Sequence, residues 1–120
     1  MQVKTNTDHN IEHREALDHH VDTVVKDALD HFAEYITRIE VHLTDELGKK
    51  PGESDKRCMM EARLTGHQPI AVNDHAPTVH QAIQGAVEKL RRVIERTLEK
   101  RNDKPKGKKG LTEENPDAND

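Results

Sequence analysis

Aromatic side chains are almost missing from this chain: apart from its histidines, Phe32 and Tyr35 are the only two. Any core must therefore be small and aliphatic, since aromatic rings are the largest single contributors of buried surface. Cysteine is nearly missing as well. The lone Cys58 excludes an intramolecular disulfide and fits a reducing compartment. No apolar run approaches the ~20 residues needed to span a bilayer, and the opening MQVKTNTDHN lacks the apolar stretch of a secretory signal. A cytoplasmic chain with no membrane partner is the expectation. There is also no glycine-rich phosphate loop, no HExxH pair and no carboxylate pair that stands apart from the general acidity. Neither catalysis, a cofactor nor a small-molecule substrate is expected.

What remains is charge and periodicity. The 120 residues allow one domain. A charged fraction of 35 % and a mean hydropathy of −1.00 would signal disorder if spread evenly. They are not, because apolar periodicity persists between about residues 11 and 100. The net charge of −4 argues against a general nucleic-acid binder. Its distribution is polarised, however. Residues 81–110 hold ten Lys/Arg against four Asp/Glu, residues 11–34 hold two against seven, and the last ten carry acidic charge alone. Local potential, more than the total, decides where an anion docks.

Read in order, Met1 to Thr7 alternates as a short strand, with Met1, Val3 and Thr5 on one side and Gln2, Lys4 and Asn6 on the other. From His13 to Glu34 the period becomes helical, placing Leu17, Val21, Val24, Val25, Ala28 and Phe32 on one face. Ile36 to Thr44 returns to a period of two, with Ile39, Val41 and Leu43 inward. A polar Gly/Pro-punctuated connection covers Glu46 to Asp55. Lys56 to Thr65 puts Cys58, Met60, Ala62 and Leu64 inward; Gly66-His67-Gln68 turns the chain into a further strand, Pro69 to Asn73, with Ile70 and Val72 on the apolar side. Val79, Ile83, Ala86, Val87, Leu90, Ile94 and Leu98 then mark one stripe of a helix over residues 78–101. The fold class is α+β in the order β-α-β-β-β-α, a four-stranded sheet with two helices packed on one face. Residues 1–101 form a single domain; residues 102–120 read as a disordered tail, basic and then acidic.

The last helix carries the main candidate site. Lys89, Arg92, Arg96 and Lys100 form a second stripe well away from Leu90, and a row of cations one turn apart can follow a phosphate backbone. Arg91 and Lys4 are secondary candidates. The bland alternative is a solvated face paired with Glu88, Glu95 and Glu99. Nine histidines raise a metal hypothesis, with His9 and His13 four apart and Asp27 four before His31, but no set of three or four converging ligands is visible and no metal site is expected. Cys58 sits inward beside Met60 as a small core hydrophobe.

Asn10-Ile11-Glu12, the helix segment ending in His20-Val21, the Ala82-Ile83 pair and the run Lys89-Leu90-x-Arg92 together resemble the ribosome hibernation-promoting factor family. That family includes the ribosome-associated inhibitor and the proteins once called sigma-54 modulators, and the likeness covers about residues 1–101. It implies a short family member with a domain similar to double-stranded RNA-binding folds. It further implies a translation inhibitor that occupies the messenger- and transfer-RNA channel of the small ribosomal subunit during stress or stationary phase. The family's basic helix positions fall on Lys89, Arg92 and Arg96. The chain departs from the pattern at His9, at His80, where the family usually has Tyr, and at Arg14-Glu15, where it usually has Thr-Pro. The partners implied are the small subunit and its ribosomal RNA. A rival reading keeps the fold but makes it a protein-interaction or self-association module, a weak homodimer pairing through Arg38, Glu40, His42, Met59, Glu61 and Arg63.

Overall fold

Alternating inward side chains assemble the sheet. The computed structural model describes residues 1–47 and 54–106, with side chains for 1–46 and 55–100. Strand β1 (Gln2–Thr7), helix α1 (Glu15–Ala28), a 3-10 helix (Asp30–Tyr35), strands β2 (Ile36–Leu47), β3 (Ser54–Leu64) and β4 (Ile70–Ala76), and helix α2 (Val79–Lys106) follow one another. The four strands lie in sequence order. Strand β1 runs parallel to β2, which requires a crossover, and α1 supplies it; β2, β3 and β4 are antiparallel neighbours.

The register puts Val3, Ile39, Met60 and Val72 across one face. Both helices cover that face, α1 against β1 and α2 against β3 and β4. Between the layers, Val21, Val25, Leu29, Ile39, Met60, Ile83, Leu90 and Ile94 are fully buried, and Phe32 and Tyr35 pack only half-buried at the margin. The core is thus aliphatic, as the missing aromatics require. Among the described residues no polar or charged residue is buried as a whole, although Arg38 Nε, Asp45 Oδ1 and Arg57 Nε are shielded from solvent.

Three boundaries differ from the periodic reading. The first helix does not run from His13 to Glu34: it starts at Glu15 and gives way after Ala28. Leu29, fully buried, passes its N–H to the Val25 carbonyl, and its own carbonyl accepts from Phe32 across 2.9 Å, tightening the chain into the 3-10 turn. The middle strands are also longer than their apolar alternation. At one end of the sheet the inward positions are Asp45, Lys56 and Asp74, which keep the pleat without adding to the apolar pattern. Lys56 and Asp45 pair there at 3.2 Å, and the Asp8 carboxylate accepts the Asp45 backbone N–H. Finally, α2 continues past Arg101 to Lys106. Residues 48–53 of the expected connection and residues 107–120 of the expected tail lie outside the described residues.

The turn between β3 and β4 needs its glycine. Gly66 holds φ at 74°, the left-handed region that side chains disfavour, and the His67 N–H closes the turn on the Leu64 carbonyl.

Candidate nucleic-acid interface

Helix α2 begins at a built cap. Thr78 Oγ1 accepts the Gln81 backbone N–H at 3.1 Å, so the helix starts at a defined residue and the phase of every later side chain follows. With Ile83, Leu90 and Ile94 locked into the core, Arg92, Arg96 and Lys100 stand exposed on the outer side and Lys89 is half-exposed.

Each cation meets a different environment. Lys89 reaches the edge strand, donating to the Asn73 carbonyl at 2.9 Å and to the Asp74 carboxylate at 2.9 Å. That carboxylate fits under the helix only because residue 85 is glycine. A Cβ there would come within 1.8 Å of Asp74 Oδ2. Arg92 approaches Glu88 at 3.8 Å with its own side chain 63 % exposed, a loose surface contact. Arg96 makes no ion pair among the described residues.

The acids expected to neutralise the row do so only in part. Glu88 is taken up chiefly by Arg91, which lies off the row and bridges Glu88 at 2.5 Å and Glu95 at 3.4 Å. The Arg91 hydrogen bond holds the Glu88 carboxyl below its usual range, with the charges of Arg91 and Arg92 adding to the effect. The same hydrogen bond raises the Arg91 guanidinium. Arg91 is thus engaged by two acids of its own helix.

Lys4 is not brought to the row. It lies at the far edge of the sheet, opposite Glu40 in the register. It also borders a groove along β1 and α1 whose other walls include Glu15, Asp18 and Asp22. The field of those acids opposes a phosphate. Periodicity could not show this, because it reports a residue's face and not the element across from it.

Two further groups are settled by packing. Burial, with the Asp74 charge secondary, pushes the Cys58 thiol up to about 12, so no thiolate forms near neutrality. His80, standing where the resembled family usually has Tyr, meets His20 of α1, with His20 Nε2 2.9 Å from His80 Nδ1, and ties the two helices together at their surface.

On the uncovered face of the sheet the charges pair among themselves. Glu40 meets Arg38 at 2.6 Å and His42 at 3.5 Å, and Arg63 lies 4.0 Å from Glu61.

Residues 5–102 match the family model described as sigma 54 modulation protein / S30EA ribosomal protein, a span that includes all of the row. The chain is similar in structure to the N-terminal domain of Protein Y from Thermus thermophilus, at 17 % identity and a TM-score of 0.57, over 80 % of this chain and 94 % of that one. It is also similar to a ribosomal subunit interface protein from Coxiella burnetii, at 13 % identity and a TM-score of 0.61, over 81 % of this chain and 97 % of that one. At these identities the two structures show a shared fold. No curated protein matches the sequence. No helix among the described residues is long and apolar enough to cross a membrane.

Proposed function

This chain belongs to the sigma 54 modulation protein / S30EA ribosomal protein family, and on that premise we propose that it is a cytoplasmic, non-enzymatic factor that silences translation by binding the ribosome. In this reading it occupies the messenger- and transfer-RNA channel of the small subunit during stress or stationary phase, and the mechanism is occupancy. The α+β wedge presents α2 to ribosomal RNA, and Arg92, Arg96, Lys89 and Lys100 bind its phosphates.

The observation that supports this most is the exposure of Arg92 and Arg96 on the outer side of α2. The row's ion pairs lie at the surface, where such pairs are worth about 0–1 kcal/mol because water and salt screen them. A phosphate offers a charge-assisted hydrogen bond of about 1.5–3 kcal/mol to each cation it meets, and each neutralised phosphate releases counterions. Exchange of Glu88 or Asp74 for a phosphate is therefore favourable. The rigid core behind α2 keeps the cations one turn apart while it happens.

Co-sedimentation of the purified protein with separated ribosomal subunits tests the reading. The protein should travel with small subunits and not with large ones, and should be released progressively as salt rises. Failure to travel with small subunits at low ionic strength would end it. The rival, a self-association module using the uncovered sheet face, predicts sedimentation that ignores ribosomes and depends on protein concentration alone.

A further inference from the structure

At the end of the uncovered sheet face, away from α2, three strands bring together a carboxylate, a second carboxylate and an imidazole. Glu46 on β2 stands opposite Asp55 on β3, and His75 on β4 stands opposite Arg57, two residues along β3 from Asp55 on the same face. Cross-strand and diagonal neighbours on one face are within side-chain reach. The donor atoms of Glu46, Asp55 and His75 all lie within 4.8 Å of one another.

We propose that Glu46, Asp55 and His75 form a divalent-metal site that clamps β2, β3 and β4 together. Metal–nitrogen and metal–oxygen bonds of ~2.0–2.2 Å put neighbouring ligand atoms about 3.4 Å apart in a tetrahedral site. His75 Nε2 already stands 3.3 Å from Glu46 Oε1. The widest pair needs to close by at most about 1.4 Å, which side-chain rotation supplies, and water completes the coordination. One imidazole with two carboxylates favours zinc, nickel, cobalt or manganese over magnesium and calcium, which prefer an all-oxygen shell.

The present occupant of the neighbourhood is a cation of the protein itself. Arg57 Nη1 lies 3.7 Å from Glu46 Oε2, too long for a hydrogen bond, and Arg57 Nε has no hydrogen-bond partner although it is buried. A guanidinium held this loosely is displaced by a doubly charged ion that bonds all three ligands. No spacing in the sequence announces the site, because its ligands come from three strands and from strand ends that carry no apolar alternation.

The test uses the full chain, freed of metal by a chelator and titrated with zinc chloride alone, followed by calorimetry and thermal melting. Saturable binding of one zinc per chain is expected, with a rise of a few degrees in the melting temperature (of the size mass action gives once the metal exceeds its dissociation constant). His75→Ala and Asp55→Asn should each remove both signals, while His31→Ala, on an exposed histidine, and His20→Ala, on a half-buried one, both outside the site, should leave them intact. Cobalt should give a visible absorption band that the Asp55→Asn variant lacks. Absence of saturable binding up to millimolar zinc overturns the proposal, and so does zinc binding that survives in both His75→Ala and Asp55→Asn. Loss in the His20→Ala variant would overturn it too, by moving the binding to the His20–His80 pair.

Discussion

Reversing Arg92 and Arg96 together to glutamate should abolish co-sedimentation with small ribosomal subunits while leaving the fold intact. Both side chains are exposed on α2, and Arg92 makes only a loose contact to Glu88 at 3.8 Å among the described residues. Nothing in the core depends on either. On the ribosome, by contrast, each removed cation forfeits a charge-assisted hydrogen bond of about 1.5–3 kcal/mol, and each new glutamate adds repulsion to the same phosphate. Two positions together reduce affinity by at least about a hundredfold. Because two fewer phosphates are neutralised, the logarithmic salt slope should flatten by roughly two. Circular dichroism should show an unchanged spectrum and melting temperature. A control in the opposite direction sharpens the result: Asp74→Asn removes the acid that holds Lys89 and should tighten binding a few-fold at low salt. Double reversal with undiminished sedimentation would transfer the function to another surface.

The second large effect concerns the scaffold. Leu90→Ala should lower the melting temperature by upward of ~10 °C. Leu90 is fully buried on α2, between the helices and the sheet, and truncating such a leucine costs about 2–5 kcal/mol in lost transfer energy and cavity formation. A small domain has about 5–15 kcal/mol in all, and with neither aromatic residue fully buried there is no large ring to shift into the gap. Leu98→Ala, near the open end of the same stripe with 6 % of its surface exposed, should fall less, because solvent relieves the cavity. Equal and small shifts in thermal melts of the two variants would mean that α2 is not docked by its apolar stripe. The cation row would then lose its rigid support.

Much of this was legible in the sequence, and the residues show why. Strict spacing of Ile83, Leu90 and Ile94 gives the helix and its buried face together, and the position of Arg96 on the outer side follows from the same 100° step. Inward alternation likewise identifies Ile39, Val41, Cys58, Met60 and Ala62. Where apolar residues stop, legibility stops. Asp45, Lys56 and Asp74 occupy inward positions at the sheet's charged end, so β2, β3 and β4 run further than a hydrophobic pattern reports. The end of α1 was hidden for a related reason: Leu29 prolongs the apolar stripe, yet it is the residue at which the backbone tightens into a 3-10 turn.

The site divides in the same way. The residues of the row could be named from one helix alone, whereas their partners could not. Asp74, which engages Lys89, lies on another element, and the glycine that admits it, Gly85, looks in sequence like an isolated weak point in a helix. Lys4 carries the right charge but stands beside acids contributed by α1. Arg91 is adjacent in sequence to Arg92, but the helix turns it toward Glu88 and Glu95. Single-element patterns give the charge and the face. Which charges remain available depends on what the fold sets beside them.

The central claim, that the outer side of α2 lies against small-subunit RNA, is tested most directly by photo-crosslinking from two positions. One photoreactive residue replaces Glu99, exposed beside the row, and another replaces Met59 on the uncovered sheet face. With ribosomes present, position 99 should crosslink to small-subunit ribosomal RNA and position 59 should not. Crosslinks from position 59 to RNA or to a second copy, with none to RNA from position 99, would contradict it.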